Sequence, residues 1–166
     1  MVEAETPRFV ADVMVGRLAR WLRGLGVDVL FDPCLDDRGL LAIARRDQRV
    51  VLTRDVPLAS ATGEPQRLLI ESDDFREQLL QVVGAYHLDP FKRLFSRCMD
   101  CNSPLQPALR EEARHRVPPY VFSTQAGFQR CPGCDKILWG GTHRDHMHRL
   151  LRRLFVPQYH DVTTSR

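Results

Sequence analysis

The stretch RVVLTRD, residues 49–55, ends a short apolar run with a hydroxyl, a cation and a carboxylate. Its three apolar residues predict a buried strand, because such runs suit a strand that is covered on both faces. Side chains alternate along a strand, so Thr53 and Asp55 should share one side. Arg54 should then point the other way, towards a neighbouring carboxylate or a phosphate. The stretch predicts a core strand with polar chemistry at its end, or a strand that simply turns at the surface.

Apolar strands alternate with segments of helical period on both sides of this stretch. Strands are expected at residues 8–12, 27–31, 49–53 and 67–72, and helices at 14–26, 38–47 and 73–86. Short apolar strands separated by amphipathic helices are typical of a parallel sheet with helices on its faces. Residues 57–66 are polar with two prolines, and we expect a loop there. The pattern predicts an α/β domain over residues 8–95.

The chain divides into an acidic and a basic part. Residues 1–88 carry more Asp and Glu than Lys and Arg, whereas residues 89–166 are basic and hold five of the six histidines. This asymmetry suggests a cation site beside a surface for a polyanion, although ordinary surface charge would give the same balance. No apolar run is long enough to span a membrane, and residues 1–9 lack the apolar segment of a signal peptide. We expect a cytoplasmic protein.

Four of the five cysteines form two CxxC pairs separated by 29 residues. The pairs are Cys98 with Cys101 and Cys131 with Cys134. Four thiolates complete a closed tetrahedral site for a structural Zn²⁺, and the pattern resembles a zinc ribbon. Disulfides are the alternative, but they are uncommon inside cells. The long linker should contain an extra hairpin, and we expect the zinc ribbon and a terminal helix to occupy residues 96–155.

Basic residues near the cysteines and on the first helix are candidates for substrate binding. His143 lies just after the second CxxC pair, and it is a candidate for substrate binding rather than for the metal site. Residues 144–155 form a helix with one apolar stripe and a basic flank that includes Arg149. These cations could hold the phosphates of a polyanion, or the flank could be a solvated face. Arg17, on the first predicted helix, is a third candidate.

Carboxylates follow the predicted end of every strand in the sheet. They are Asp12, Asp36 with Asp37, Asp55, and Asp73 with Asp74. The carboxyl ends of parallel strands share one edge, so these acids could converge there. Converging carboxylates raise one another's pKa unless a cation relieves the repulsion, and Mg²⁺ or Mn²⁺ prefers such oxygen ligands. The alternative is that the acids at helix starts are ordinary N-caps.

The chain resembles the Mut-seven C-terminal RNase domain family, in which a PIN-like nuclease fold precedes a zinc ribbon. The matching stretches are FVADVMVGRLARWLRGLGVDVLF (9–31), DDRGLLAIA (36–44), VVLTRD (50–55), EQL (77–79), SRCMDCNSPL (96–105) and FQRCPGCDKILWGGTH (128–143). The resemblance implies a PIN-like three-layer domain with a mainly parallel sheet, followed by a small zinc ribbon and a terminal helix. It also implies a metal-dependent ribonuclease whose acids surround Mg²⁺ or Mn²⁺.

The resemblance further implies roles for single residues. Asp12 and Asp55 match the first and third acids of the site. Asp37 matches the second acid, with Asp36 as its rival, and Asp73 or Asp74 would supply the fourth. Thr53 matches a hydroxyl often found beside the acids of PIN-like sites. Members of the family can carry a ubiquitin-like domain ahead of the nuclease, which makes such a domain a possible partner.

Three functions fit these observations. The first is a metal-dependent endoribonuclease whose structural zinc module helps to hold RNA. The second is a non-catalytic RNA- or ribosome-binding protein that retains the fold. The third is a zinc-ribbon adaptor for protein interactions. Cleavage of labelled RNA with Mn²⁺ separates the first from the others, and salt-dependent RNA binding separates the second from the third.

Overall fold

A computed structural model describes residues 6–156, which form two compact units divided after Asn102. The first unit contains a four-stranded sheet in the order β2-β1-β3-β4, with every neighbouring pair parallel. Its elements are β1 (Phe9–Ala11), a 3-10 turn (Val13–Val15), α1 (Gly16–Gly24), β2 (Val29–Phe31), α2 (Asp37–Arg46), β3 (Val50–Thr53), α3 (Val56–Ser60), β4 (Arg67–Leu69) and α4 (Phe75–Ala85). The predicted α/β class with a mainly parallel sheet is confirmed.

The central strands are buried on both faces, as their continuous apolar runs predict. Val10 of β1 and Val51 of β3 lie side by side and pack against Leu40 of α2 and Leu58 of α3. Helices α1 and α4 pack against each other, with the Trp21 ring 5.0 Å from the Phe75 ring. Crossovers between parallel strands are as a rule right-handed, and with this strand order the rule places α1 and α2 on opposite faces of the sheet. Helices therefore cover the sheet on both sides.

The loop predicted for residues 57–66 is wrong at its start, because Val56–Ser60 form the short helix α3. The Asp55 carboxylate accepts a hydrogen bond from the Leu58 amide at 2.6 Å, which caps the first turn. Pro57 suits this turn because an amide there needs no partner within the helix. The sequence feature that indicates this helix is therefore the capping residue Asp55 followed by proline, whereas the polarity of the segment wrongly suggested a loop.

Gly26 fixes the tight connection from α1 to β2. Its φ is +83°, and a Cβ atom there would lie 2.2 Å from the Arg93 carbonyl oxygen. The Phe95 amide donates to the Gly24 carbonyl at 2.7 Å, so residues 93–95 press against this turn. Only glycine combines the left-handed backbone with such a close approach.

The second unit contains a three-stranded antiparallel sheet in the order β5-β6-β7. Its elements are β5 (Gln106–Ala108), α5 (Arg110–Ala113), α6 (Pro119–Thr124), β6 (Phe128–Arg130), β7 (Ile137–Trp139) and α7 (Thr142–Phe155). The predicted extra hairpin corresponds to the β5–β6 pair, but two short helices join these strands instead of a tight turn. The terminal helix is confirmed, with Met147 and Leu151 buried. Within residues 6–156, no helix is both long and apolar enough to cross a membrane.

Candidate functional site

Asp12 and Asp55 lie at one edge of the parallel sheet and are linked through Thr53. Strands β1 and β3 are neighbours, so the residues that follow them are close. The Thr53 hydroxyl donates to Asp12 Oδ2 at 2.6 Å and accepts from the Asp55 amide at 3.0 Å. Asp12 is 8% exposed and Thr53 is fully buried. Thr53 therefore orients Asp12 from beneath and presents no surface of its own to a substrate.

The carboxylates of Asp36, Asp55 and Asp74 each cap a helix at this edge. The acceptor is Oδ1 in every case, with the amides of Gly39, Leu58 and Arg76 donating at 2.6 to 2.8 Å. A carboxylate has two oxygens and about four acceptor sites, so capping does not prevent ligation of a cation. Asp36 and Asp55 each keep an Oδ2 that accepts no hydrogen bond from the described residues.

Asp37 and Asp73, the predicted second and fourth acids, lie next to the caps and do not cap a helix themselves. Asp37 is the exposed first residue of α2. Asp73 is 87% exposed in its side chain and forms an ion pair with Arg54. The expected pairing of Arg54 with a neighbouring carboxylate is confirmed, but its partner is one of the predicted acids, so Arg54 does not simply point away from them. This ion pair offsets one negative charge at an edge that is rich in carboxylates.

The acids share the edge without being gathered into a ligand set. Among residues 6–156, the cysteines form the one group of three or more Cys, His, Asp or Glu side chains whose ligand atoms are close enough to hold one ion. The structure therefore joins Asp12 to Asp55 through Thr53, and it places Asp37 and Asp73 at the starts of other helices. Mutual repulsion of carboxylates favours such a separation when no cation is bound.

Arg17 stacks on an aromatic ring beside the acids. Its guanidinium lies 3.8 Å from the centre of the Phe75 ring, and that of Arg76 lies 4.8 Å from the same ring. Arg17 and Arg76 are exposed, whereas Phe75 is buried. Sequence analysis identified Arg17 but missed Phe75 and Arg76, and the available signal was an aromatic residue and a cation directly after the Asp73–Asp74 pair.

The four sulfurs of the CxxC pairs lie within 4.8 Å of one another. Four Zn–S bonds of about 2.3 Å in a tetrahedron would set the sulfurs roughly 3.8 Å apart, so the arrangement fits a zinc ion with small adjustments. Cys98 and Cys131, the first members of the two pairs, are buried, and none of the four cysteines is in a disulfide. The four cysteines could therefore bind a structural zinc ion. Cys34, outside the pairs, is exposed.

The two CxxC loops have the same backbone geometry. Four residues after the first cysteine of each loop, Asn102 and Asp135 adopt positive φ values of 71° and 57°. Their amides donate to the carbonyls of Cys98 and Cys131, both at 2.9 Å. Asn and Asp tolerate this left-handed backbone better than other residues with a side chain. The sequence CxxCN/D is thus a local signal for both loops.

Arg23 anchors the first CxxC loop to the sheet. This arginine is 5% exposed, and its Nε donates to the carbonyl of Val29 in β2 at 2.8 Å. Its Nη1 donates to the carbonyls of Met99 and Asp100, inside the loop, at 3.2 and 2.7 Å. Burial lowers the pKa of the Arg23 guanidinium, while Cys101, Cys98 and Asp100 act in the opposite direction. One buried cation thus satisfies carbonyls of a strand and of the first CxxC loop.

Asn102 and Asp28 extend this attachment. Asn102 accepts a hydrogen bond from the Val29 amide and donates to Asp28 at 2.8 Å. Asp28 also pairs with Arg49 at 2.7 Å and with Arg97 at 3.5 Å. Burial alone would raise the pKa of Asp28, but hydrogen bonds from Arg49 and Asn102 and the charges of both arginines lower it below its ordinary value. The ionised carboxylate is therefore part of the attachment.

His143 and Arg149 both lie in α7 of the second unit. His143 occupies its first turn and is exposed, as is Arg149. Arg149 lines a pocket together with His148, Arg152 and Arg153. The predicted basic flank is therefore a cluster on one helix, at a place where an anion would meet several positive charges.

Comparisons with known proteins add one match. A family model described as the Mut7-C RNAse domain matches residues 7–151, which is most of the chain. It therefore covers the acid edge, both CxxC loops and most of α7. Searches of curated proteins and of solved structures found no match.

We predict that Arg23→Met lowers the free energy of unfolding by about 2–4 kcal/mol, because one buried carbonyl and two part-buried carbonyls lose their donor. Zinc should also leave the protein faster in the presence of a chelator. The matched control is Arg20→Met on the same helix, since Arg20 pairs with Asp100 at the surface. An exposed pair contributes less than about 1 kcal/mol. Denaturant unfolding curves of both variants check this, and equal small losses would contradict the anchoring role.

We predict that in Asp28→Asn the free energy of unfolding decreases less, as the pH is lowered into the acid range, than it does in the wild type. The folded pKa of Asp28 is depressed, so its stabilising contribution is complete above the ordinary value of about 4 and disappears as the pH falls through the folded value. At neutral pH the variant should lose about 1–2 kcal/mol of unfolding free energy. As the pH falls through the folded pKa of Asp28, the two proteins should converge. Urea unfolding across this range measures the difference, and a constant gap at every pH would contradict the assignment.

Proposed function

We propose, because the chain belongs to the Mut7-C RNAse domain family, that it is a metal-dependent endoribonuclease that hydrolyses RNA phosphodiester bonds. The observation that carries the proposal is the buried hydrogen bond from Thr53 to Asp12, beside Asp55, at the carboxyl edge of the sheet. Burying a hydroxyl and a carboxylate costs desolvation free energy, and a strand that only turns at the surface would not need this arrangement. In open α/β sheets, this edge is where ligands bind.

The acids of this edge would hold Mg²⁺ or Mn²⁺. When bound, such an ion supplies an activated water and stabilises negative charge on the phosphate. Asp12 and Asp55 would be its inner ligands, with Asp12 fixed by Thr53 and Asp55 fixed by its cap. We assign Asp37 as the second acid from its match to the family's motif, with Asp36 as its rival, and Asp73 as the fourth, with Asp74 as its rival. To bind the ion, the Asp73 carboxylate would give up its ion pair with Arg54, or it would contact the ion through a water molecule.

Cations near the acids would position the RNA backbone. Arg17 keeps an exposed guanidinium whose plane is held against Phe75, and Arg54 lies beside Asp73. Arginine suits phosphate because its fork of donors binds two oxygens at once. His143 and Arg149 on α7 would add contacts to RNA. We assign Thr53 a positioning role, because it has no exposed surface.

We further propose that residues 8–95 are a PIN-like nuclease domain and that residues 96–155 are a zinc ribbon with a terminal helix. The parallel sheet with helices on both faces supports the first assignment. Two matching CxxC loops and an antiparallel three-stranded sheet support the second. The zinc would be structural, since four thiolates leave no open position. A cytoplasmic setting and a ubiquitin-like or ribosomal partner are part of the same proposal.

A second candidate is a non-catalytic RNA- or ribosome-binding protein with the same fold. One observation favours it: the described carboxylates do not form a ready ligand set. A protein that binds RNA without cutting it would keep the cations and would not depend on the acids. The two functions therefore differ in their response to loss of a single carboxylate.

We predict that Asp55→Asn reduces RNA cleavage in Mn²⁺ by about 100-fold or more, because even an outer partner of a metal site is worth about 10- to 100-fold. Its stability should hardly change, since Asn caps helices as well as Asp does. The matched control is Asp89→Asn, which alters a carboxylate that accepts from the Phe91 and Lys92 amides. This control should cleave normally. Wild-type cleavage by the Asp55 variant would sink its role as a ligand.

We predict that Cys131→Ser lowers the zinc content of the purified protein and loosens the second unit, because metal binding and folding are coupled in such modules. Cys34→Ser is the matched control, since Cys34 is exposed and outside the cluster. Elemental analysis and limited proteolysis measure the two effects. Wild-type protein purified without chelator and free of zinc would refute the assignment.

A further inference from the structure

Three exposed apolar side chains stand directly beside the two linked acids. Val13 and Met14 follow Asp12, and Val56 follows Asp55. Their exposed fractions are 55%, 55% and 56%. Half of the large exposed hydrophobic residues found in the described part of the chain therefore occur at this one edge. Scattered apolar residues need no explanation, but a group beside a polar site does.

The backbone that orients the Asp12 carboxylate also turns the side chains of Val13 and Met14 outward. The Asp12 amide donates to the Leu52 carbonyl at 3.0 Å, and the Val15 amide donates to the Asp12 carbonyl at 3.0 Å. The Met14 amide donates to Asp12 Oδ1. Val15 is buried by this turn, whereas the two residues before it face solvent. Their exposure is thus fixed by the same hydrogen bonds that build the site.

We propose that Val13, Met14 and Val56 form a platform for unpaired nucleobases next to the scissile phosphate. This inference rests on the proposed ribonuclease function. A phosphate held at the acids necessarily brings its own bases to the neighbouring surface. The faces of unstacked bases are apolar and pack well on apolar side chains.

Charge favours RNA over a protein as the occupant. The exposed guanidiniums of Arg17 and Arg76 share the Phe75 ring, and Arg17 lies one helical turn after Val13. A strand of RNA presents phosphates for such cations and bases for the platform in regular alternation. Bases in a duplex are stacked on each other and cannot use the platform. Met14 is flexible enough to fit different bases, so we expect little sequence preference.

The test compares a triple variant, Val13→Thr with Met14→Gln and Val56→Thr, against wild type. The substitutions keep similar shapes at exposed positions, so melting temperatures should stay the same. The probes are a labelled short oligouridylate, the same strand with abasic sites, and its duplex with oligoadenylate. Fluorescence anisotropy gives affinities for each. Leu80→Gln, which changes an exposed apolar residue within α4, is the matched control.

The platform predicts about fivefold or greater loss of affinity for the intact single strand in the triple variant, and no loss for the abasic strand or the duplex. The Leu80 variant should match wild type on all three probes. An equal loss on intact and abasic strands, or no loss at all, overturns the inference. So does self-association of the wild type that the triple variant abolishes, since the patch would then serve a second copy of the chain.

Cleavage of the same probes in Mn²⁺ keeps this inference distinct from the proposed function. Base-dependent binding without any cleavage would support the platform and contradict the ribonuclease. Equal cleavage of single strand and duplex by both proteins would support the ribonuclease and contradict the platform.

Discussion

Parallel pairing of all four strands in the first unit is the constraint on which the candidate site depends. It brings the carboxyl ends of β1, β2, β3 and β4 to one edge, together with the starts of the helices that follow. Residues 12 and 55 are far apart in the sequence, yet one threonine side chain connects them. A strand slipped by one residue would turn Thr53 to the opposite face and break this connection. Strand register, and not local sequence, therefore brings Asp12 and Asp55 to the same edge of the sheet.

At this edge the same carboxylate groups can serve as helix caps and as metal ligands. A carboxylate at a helix start accepts amide hydrogen bonds and lies near the positive end of the helix dipole. Asp55 shows how one residue can serve both roles, since its cap uses Oδ1 and leaves Oδ2. Capping holds the acid in place before a cation arrives, which reduces the ordering cost of binding. The cap and ligand interpretations of these acids are therefore compatible.

The strands, the parallel sheet, the terminal helix and the clustered cysteines could be predicted from the sequence. Their signals are local: apolar runs, helical period and CxxC spacing. The anchoring role of Arg23 could not, because its carbonyl partners at Met99 and Asp100 lie more than seventy residues away. The helix α3 was missed because its polar composition concealed an Asp cap followed by proline. A carboxylate partner for Arg54 was one of two expected from the sequence, but strand alternation did not identify Asp73, because the strand ends at Thr53 and the fold supplies the partner.

Whether the acid edge binds a catalytic cation is the central question, and anomalous diffraction from crystals soaked in Mn²⁺ answers it most directly. The account predicts a manganese peak between Asp12 and Asp55, and a separate zinc peak surrounded by the four cysteines. Zinc at the cysteines with no manganese at the acids, at a concentration that supports RNA cleavage, would contradict it.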